Sequence, residues 1–344
     1  MPVHRTRLTV VYTLLSGLAA ALILSACDST KSPPHATTQA ATGPATTTTA
    51  PALERFEYAQ IHMGMRCRLV VYATNEDVAV AACRAAFARI AEIDRVASDY
   101  LLASELNHVC KTATTQPVKV SDDLWALLIE ARKISELTGG AFDITVGPYS
   151  QLWRKARKEK VLPTQDALAT ARPLVGYEKV QLDPANRTVR LTVPGMKLDL
   201  GGIAKGYAGD GAIATLRAHG ITSALFECGG DIVLAGPPPG KPGWSVSIVD
   251  PGDTAPRSLD LHDCAVSTSG DTMQFVDIDG VRYSHVVDPR TGVGVTTRAM
   301  GTVVAPKGLW SDPLSKCVYL VDEAKRDELL KHFPGTKAYV RRLK

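Results

Sequence analysis

Residues Lys197 to Asp210 read KLDLGGIAKGYAGD and carry the most informative local pattern of the chain. An apolar run ends at Asp199, and the pair Gly201-Gly202 follows it. The next residues predict a helix that carries Lys205 in its first turns. Paired glycines let a ligand approach the backbone, and the first amides of a helix attract anions. With the ammonium group of Lys205 beside them, these features indicate a phosphate site; a tight turn without a ligand is the alternative.

On both sides of this stretch, predicted helices and strands mix without regular alternation. Apolar residues at helical spacing predict helices over Glu76–Val96, Asp122–Leu137, Thr164–Ala171, Ile203–His219 and Glu323–His332. Strands are predicted over Arg66–Tyr72, Val180–Leu182, Thr188–Val193, Lys197–Leu200, Ala224–Phe226, Trp244–Val249, Gln274–Ile278, Val281–Val287, Ala299–Val304 and Lys337–Arg341. This order favours an α+β fold or a mixed sheet over a doubly wound one.

Residues 1–26 have the pattern of a bacterial lipoprotein signal peptide. Basic residues near the start precede an apolar run, Leu8 to Leu24, which is shorter than the roughly 20 residues of a membrane span. The following Leu-Ser-Ala-Cys resembles a lipobox in which Cys27 is lipidated; an ordinary secretory signal is the alternative. We therefore expect a protein anchored in the bacterial cell envelope, on the periplasmic side of the inner membrane or else at the outer membrane.

Composition separates a tether from a globular domain. Residues 27–52 are almost all Thr, Ala, Pro and Ser, which cannot bury enough apolar surface to fold, so a tether is predicted there. Residues 53–344 are predicted to form the domain. The whole chain is 45% hydrophobic and 22% charged, as in ordinary globular proteins. Its net charge of +4 is too small to indicate a nucleic-acid partner.

Six cysteines follow Cys27 in the predicted domain. No pair has a metal-ligand spacing such as C-x-x-C, and several lie in apolar runs, which favours buried free thiols. One disulfide among them is the alternative, and spacing does not determine its pairing. The six are Cys67, Cys83, Cys110, Cys228, Cys264 and Cys317.

Five further segments occur with DLGGIAKGYAGD in a set order. They are GGAFDITVGPYSQLW (139–153), CGGDIVLAG (228–236), STSGD (267–271), YSHVVDPRTG (283–292) and SDPLSK (311–316). Together they resemble the ApbE family, the FAD:protein FMN transferases, from about Met63 to Val321. The resemblance implies an ApbE-like, T-fold-like α+β domain of mixed sheets with packed helices.

The resemblance also implies an activity and its partners. Such an enzyme cleaves FAD, attaches FMN through a phosphoester to a Thr or Ser of an exported flavoprotein, releases AMP and uses Mg²⁺. Acceptors of the family carry a site of the type Asp-x-x-Ser-Gly-Ala-Thr/Ser. Two alternatives stay open: an FAD pyrophosphatase with water as acceptor, and a catalytically inactive FAD-binding lipoprotein. A scaffold without a ligand is a third, and the intact motifs argue against it.

Individual roles follow from the same resemblance. His285 corresponds to the general base for the acceptor hydroxyl, a role suited to a histidine near neutral pH. Asp288 is either a turn residue or the group that orients His285. Tyr100 offers a flat face for the flavin ring, with a core or hairpin aromatic as the alternative. The full set of expected FAD contacts is Met63, Tyr100, Ala141, Phe142, Asp143, Asp199, Lys205 and Val286.

The expected metal positions contain a departure from the family pattern. They are the carbonyl of Gly202, Asp312 and residue 316, where the family has Asp-Ala-Leu-Ser-Thr and this chain has Pro313 and Lys316. An ammonium group offers no lone pair to Mg²⁺, which binds oxygen ligands. Lys316 therefore either neutralises pyrophosphate charge in place of a metal ion, with a weaker or single metal site remaining, or marks a site that has lost magnesium and catalysis.

Three weaker signals complete the analysis. The basic residues from Arg154 to Lys160 are most simply a solvated helix face, with a surface that approaches anionic lipid or an acceptor protein as the alternative. The segment Ser267–Gly270 provides either substrate contacts or loop chemistry. SELNHVC (104–110) resembles the family's SELSxLN only loosely and places Cys110 at the usual Asn.

Overall fold

The computed structural model describes residues 52–248, 257–270 and 274–342. The predicted signal peptide, Cys27 and the tether up to residue 51 lie outside the described residues, so these assignments stay predictions. Among the helices of the described residues, none combines the length and the apolar character needed to cross a membrane.

The described residues form helices and strands in an irregular order. The α-helices are α1 (Glu76–Ala97), α2 (Glu105–Thr112), α3 (Asp122–Thr138), α4 (Gly147–Glu159), α5 (Gln165–Ala171), α6 (Ala204–Ala218), α7 (Gly308–Leu320) and α8 (Glu323–Lys331). The strands are β1 (Glu54–His62), β2 (Met65–Ala73), β3 (Val118–Lys119), β4 (Val180–Asp183), β5 (Thr188–Leu191), β6 (Ala224–Cys228), β7 (Asp231–Ala235), β8 (Trp244–Ile248), β9 (Arg257–Leu261), β10 (Ala265–Gly270), β11 (Phe275–Ile278), β12 (Val281–Ser284), β13 (Val287–Asp288), β14 (Val293–Gly294), β15 (Ala299–Ala305) and β16 (Lys337–Arg342).

A seven-stranded sheet in the order β1-β2-β6-β7-β10-β15-β16 forms the centre of the domain, and each neighbouring pair is antiparallel. Alternate residues of its strands face opposite layers. In β2, Leu69 and Val71 pack with α1 and α6, whereas Val70 packs with Trp244 of the β8–β9 hairpin. The sheet thus has helices on one face and a hairpin on the other, and the predicted α+β class is confirmed.

Two further cores flank this sheet. One joins α2, α3, α7 and α8 to the small sheet β3-β5-β4, with Leu124, Leu127 and Ile134 of α3 fully buried at helical spacing. The other surrounds Tyr149 and Trp153 of α4 and includes α5 and the β11–β12 hairpin. Helix α7 therefore lies between the central sheet and the first flanking core.

The five predicted helices are confirmed to within one residue at each end. Side-chain oxygens accept a backbone N–H at the start of four of them, the N-caps Asn75, Ser121, Thr164 and Asp322. Helices α2, α4 and α7 were not predicted. The predicted strand Lys197–Leu200 is wrong, because this segment joins no described ladder and the Asp199 amide instead donates to the carbonyl of Ile144 at 2.7 Å.

The described cysteines agree with the prediction of free thiols rather than with that of a disulfide. All six are free thiols, and only Cys264 is partly exposed among them. Cys67 of β2 lies opposite Cys228 of β6, and both side chains are fully buried.

Helices α6 and α7 cross where each has a glycine. A Cβ added to Gly206 would lie 2.0 Å from the Gly308 carbonyl oxygen, and one added to Gly308 would lie 2.2 Å from the Gly206 carbonyl oxygen. The Asp210 carboxylate of α6 accepts the first two backbone amides of α7 at 2.6 and 2.8 Å, and so caps that helix. This crossing sets Lys205 of α6 beside Asp312 of α7.

We expect Gly206→Ala to destabilise the domain by about 3 kcal/mol or more, at the upper end of overpacking effects. The methyl group would meet backbone atoms, which cannot rotate away as a side chain does. Gly211→Ala in the same helix is the control, since its nearest atom is the flexible Cδ1 of Ile93 at 3.0 Å. Urea unfolding followed by circular dichroism measures both variants. Equal midpoints for Gly206→Ala and the wild type would contradict this helix crossing.

Candidate active site

One cavity of about 1040 Å³ collects residues from distant parts of the chain. All but one of the predicted FAD, metal and base positions line it: Met63, Tyr100, Ala141, Phe142, Asp143, Asp199, Gly202, Lys205, His285, Val286 and Lys316. The exception, Asp312, is fully buried behind the wall and contacts both lysines. A cavity of this size can enclose most of an extended ligand.

Two lysines and two aspartates form a charged cluster in the cavity wall: Lys205, Asp231, Lys316 and Asp312. The Lys205 Nζ lies 3.1 Å from Asp231 Oδ2 and 3.4 Å from Asp312 Oδ2. The Lys316 Nζ lies 2.5 Å from Asp312 Oδ1 and donates to the Asp312 carbonyl oxygen at 2.8 Å. The Gly206 amide, in the first turn of α6, donates to Asp312 Oδ2 at 3.1 Å. The Asp312 carboxylate therefore already occupies this amide, which is not free to bind the anion of a ligand.

The protonation of this cluster follows from burial and from its partners. Burial disfavours the Lys205 ammonium, but Asp231 and Asp312 outweigh it, and the pKa of Lys205 is raised. Burial would raise the pKa of Asp312, but Lys205 and Lys316 lower it to about 2. Burial and then Asp312 raise the pKa of Asp231. Lys205 is therefore charged and Asp312 ionised at neutral pH.

The three predicted metal positions converge, but the donor set does not fit Mg²⁺. A Cβ on Gly202 would lie 3.6 Å from the Lys316 Cδ and Cε atoms, so the lysine chain fills the space beside Gly202. Both carboxylate oxygens of Asp312 already accept N–H groups. Mg²⁺ requires about six oxygen ligands at about 2.0–2.1 Å, and an ammonium group supplies none. The described residues contain no group of three or more His, Cys, Asp or Glu that could hold a metal ion.

His285 is held in the tautomer that a general base requires. Its Nδ1 lies 3.1 Å from the carbonyl oxygen of Gln274, which can only accept, so Nδ1 carries the hydrogen and Nε2 keeps its lone pair. Burial, together with the nearby charges of Lys316, Lys205 and Arg157, lowers the pKa of His285 to about 4, and the Gln274 hydrogen bond opposes this only in part. The imidazole is thus neutral at pH 7 and can take a proton at Nε2.

Asp288 does not orient this histidine. Its carboxylate accepts the Arg290 side chain at 2.9 and 2.7 Å, and its carbonyl oxygen accepts the Gly292 amide at 2.8 Å. Of the two roles predicted for Asp288, the structure supports the turn residue.

The pH dependence of the FAD cleavage that the resemblance implies should reflect the lowered pKa of His285. For that reaction, we expect kcat/KM for AMP release to stay level as the pH falls from 8 to about 5, and to drop only near pH 4. Protonation of His285 removes the base. Because the pKa of His285 in the folded protein lies below the ordinary 6.5, this protonation and the loss of activity occur at lower pH. Circular dichroism at each pH controls for unfolding. An acid limb centred near 6.5 would contradict this environment for His285.

Arg154 is the main residue that sequence reasoning misplaced. Its guanidinium donates to Asp99 Oδ2 at 2.5 Å and to Asp199 Oδ2 at 3.2 Å, and lies over the Tyr100 ring, 4.1 Å from the centroid. The predicted solvated face is therefore wrong for Arg154, whereas Lys155 is exposed as expected. Tyr100 is 69% exposed at the cavity, so it is not a core aromatic.

The missed residues had detectable signals. Four cavity-lining residues of α4 recur at spacings of three and four, which indicates one helix face: Ser150, Trp153, Arg154 and Arg157. Asp231 follows Gly229 and Gly230, whose φ angles of 59° and 93° make the turn into β7. The motif CGGDIVLAG marks this turn in the sequence, but the motif alone does not indicate that its carboxylate pairs with Lys205.

Hydrogen bonds from a side chain of α2 hold the segment that carries Tyr100. The Asn107 side chain donates to the carbonyl oxygens of Asp99 and Leu101 at 3.1 and 2.9 Å. Cys110, three residues on, is buried and accepts the Leu198 amide at 3.3 Å, and burial raises its thiol pKa. Asn107 rather than Cys110 therefore organises this side of the cavity.

The segment Ser267–Gly270 lies in β10 rather than in a loop. Thr268, Ser269 and Gly270 line the cavity, but both hydroxyls also have partners. Thr268 Oγ1 lies 2.9 Å from Thr302 Oγ1, and Ser269 Oγ lies 3.3 Å from the Tyr319 hydroxyl. Ser267 Oγ is buried 2.8 Å from Ser311 Oγ and connects β10 to α7.

Comparisons with known proteins agree with this geometry. The ApbE family model matches residues 63–340. An FAD:protein FMN transferase of Treponema pallidum is 33% identical over 304 residues, which cover 83% of this chain and 84% of that protein. One of Klebsiella pneumoniae is 31% identical over 304 residues, which cover 86% of this chain and 82% of that protein.

Solved structures show the same likeness. The flavin transferase ApbE of Vibrio cholerae superimposes with a TM-score of 0.72 at 27% identity, covering 83% of this chain and 93% of that one. The ApbE protein of Thermotoga maritima gives a TM-score of 0.74 at 28% identity, covering 85% and 97%. The match spans nearly the whole described domain, and the chain belongs to the ApbE family.

Proposed function

We propose that this chain is an FAD:protein FMN transferase, which moves FMN from FAD to a Thr or Ser hydroxyl of another protein and releases AMP. Its curated relatives carry that name. One observation carries the proposal: a single cavity brings together two anchored ammonium groups and a neutral imidazole with a free lone pair. Cations for a pyrophosphate and a base for a hydroxyl are what phosphoryl transfer requires.

The cavity offers different chemistry to the flavin ring and to the pyrophosphate of FAD. Tyr100, Met63 and Phe142 supply aromatic and apolar surface that suits the flavin ring. Lys205 and Lys316 supply positive charge that suits the pyrophosphate. The predicted magnesium ion is left out of this proposal, because the residues at its expected position do not fit it.

The chemical step conserves all atoms. The acceptor hydroxyl oxygen attacks the phosphorus on the FMN side of the pyrophosphate, and its proton passes to Nε2 of His285. The bond from that phosphorus to the bridging oxygen breaks, and AMP leaves with the bridging oxygen. Lys205 and Lys316 stabilise the charge that develops on the phosphate oxygens.

The test follows the products of FAD with the full-length chain and a peptide of the Asp-x-x-Ser-Gly-Ala-Thr type. We expect AMP and flavinylated peptide in equal amounts, separated by liquid chromatography and identified by mass. A peptide with Val in place of the terminal Thr is the control and should gain no flavin. AMP together with free FMN would indicate water as acceptor, and intact retained FAD would indicate a binding protein; either result would overturn the transferase.

We also propose that the domain acts at the surface of a membrane. The lipobox-like ending at Cys27 and the Thr/Ala/Pro-rich tether support lipid anchoring on the periplasmic side of the inner membrane, or at the outer membrane, next to an exported flavoprotein acceptor. Cys27→Ser should move the full-length chain from the membrane fraction to the soluble fraction. Unchanged fractionation would contradict the anchor.

A further inference from the structure

The charged cluster contains a second ammonium group, that of Lys316, at a position where the ordinary family pattern has Thr. Lys316 adds a positive charge to a wall that already holds Lys205, against the two carboxylates of Asp231 and Asp312. The cluster therefore has no net negative charge, whether or not Asp231 is ionised. A divalent cation entering here would meet two ammonium groups and gain no uncompensated carboxylate.

Contacts on three sides fix the Lys316 ammonium. It donates to Asp312 Oδ1 at 2.5 Å and to the Asp312 carbonyl oxygen at 2.8 Å, while the side-chain carbons lie beside Gly202. Its third N–H finds only the Ser315 hydroxyl at 3.4 Å, the long end of the hydrogen-bond range. The side chain is 13% exposed, and that exposure is on the cavity. One N–H can therefore turn to a phosphate oxygen.

We propose that the Lys316 ammonium takes the place of a divalent cation, so that this chain holds the FAD pyrophosphate and transfers FMN without Mg²⁺. The statement about FMN transfer rests on the proposed function. The statement that Lys316 replaces a metal ion rests on the charged cluster alone. Asp312 keeps a role, since it anchors Lys316 and Lys205 instead of a metal ion. The charge that stabilises the leaving AMP comes from two fixed side chains.

The first test compares rates of AMP release by the full-length chain in EDTA and in excess Mg²⁺. The wild type should have the same rate in both. Lys316→Thr should lose at least about 100-fold in EDTA and regain rate with Mg²⁺. Lys316→Met, which keeps the chain length without charge or oxygen, should stay slow in both. Lys155→Thr is the matched control, because that side chain is 70% exposed on α4.

A second test measures metal binding without turnover. Free Mn²⁺ is followed by electron paramagnetic resonance as each variant is titrated. Lys316→Thr should bind about one ion per chain more than the wild type and than Lys155→Thr, since the cluster then loses one positive charge and gains a hydroxyl ligand. Flavin fluorescence should show that Mg²⁺ leaves the affinity of the wild type for FAD unchanged.

The two proposals fail in different ways. Loss of wild-type AMP release in EDTA with recovery in Mg²⁺ would overturn the replacement of the metal but keep the transferase. Absence of AMP and flavinylated peptide in every condition would overturn the transferase, and the Mn²⁺ titration would still decide the metal question. Equal Mn²⁺ binding by the wild type and Lys316→Thr would overturn the replacement.

Discussion

Asp312→Ala is expected to destabilise the domain by about 3–5 kcal/mol and to abolish FAD cleavage, because it removes one partner of a buried ion pair. The carboxylate is fully buried and accepts from Lys205, Lys316 and the Gly206 amide. Without it, Lys205 keeps Asp231 as an ion-pair partner, whereas Lys316 loses the carboxylate it pairs with. Urea unfolding measures the stability, and AMP release measures the cleavage.

Two further variants separate charge from packing. Asp327→Ala removes a carboxylate whose side chain is 66% exposed on α8, and it should change stability by less than about 0.5 kcal/mol. Adding Lys316→Met to Asp312→Ala removes the ammonium group that lost its carboxylate partner, so part of the lost stability should return. Wild-type stability for Asp312→Ala would contradict the buried pairing on which the site depends.

His285→Asn is expected to lower kcat for FMN transfer by about 10²–10⁴-fold and to leave FAD affinity unchanged. The Asn amide can still donate to the Gln274 carbonyl oxygen that now accepts from Nδ1, but it cannot take a proton. The lost step is therefore proton removal from the acceptor hydroxyl. Transfer kinetics and flavin fluorescence titration measure the two quantities separately.

The matched control for this variant is His332→Asn, at an exposed histidine after α8, which should leave both quantities unchanged. A loss of FAD affinity that accounts for the whole loss of rate would show that His285 binds FAD instead of acting on the hydroxyl. In that case the general base would be a different group in the cavity.

Local sequence signals predicted those parts of the fold that local interactions determine. Helices α1, α3 and α5 begin at capping side chains within their own segments, and their apolar spacing marks the buried face. Helix α7 escaped prediction because Pro313 interrupts its pattern and its cap comes from Asp210, in another helix. The segment Lys197–Leu200 has strand-like composition but pairs with none of the strands that the structure describes, which only tertiary structure reveals.

For the candidate site, too, local motifs were enough to predict positions, whereas contacts between distant residues could not be predicted. Motif resemblance identified positions that the fold indeed gathers in one cavity, from Met63 to Lys316. It did not reveal that Arg154 joins Asp99 to Asp199, because those contacts span 55 and 45 residues of sequence. It also left the role of Lys316 open, which depends on where the ammonium group lies relative to Asp312 and Gly202.

The intact mass of an acceptor after incubation with the full-length chain and FAD tests the central claim most directly. The acceptor should carry a Thr in the Asp-x-x-Ser-Gly-Ala-Thr context, and the incubation should contain EDTA. A mass gain of one FMN less one water, located on that Thr by fragmentation, is the predicted result. An unmodified acceptor in EDTA and in Mg²⁺ alike, with FAD bound but uncleaved, would contradict the account.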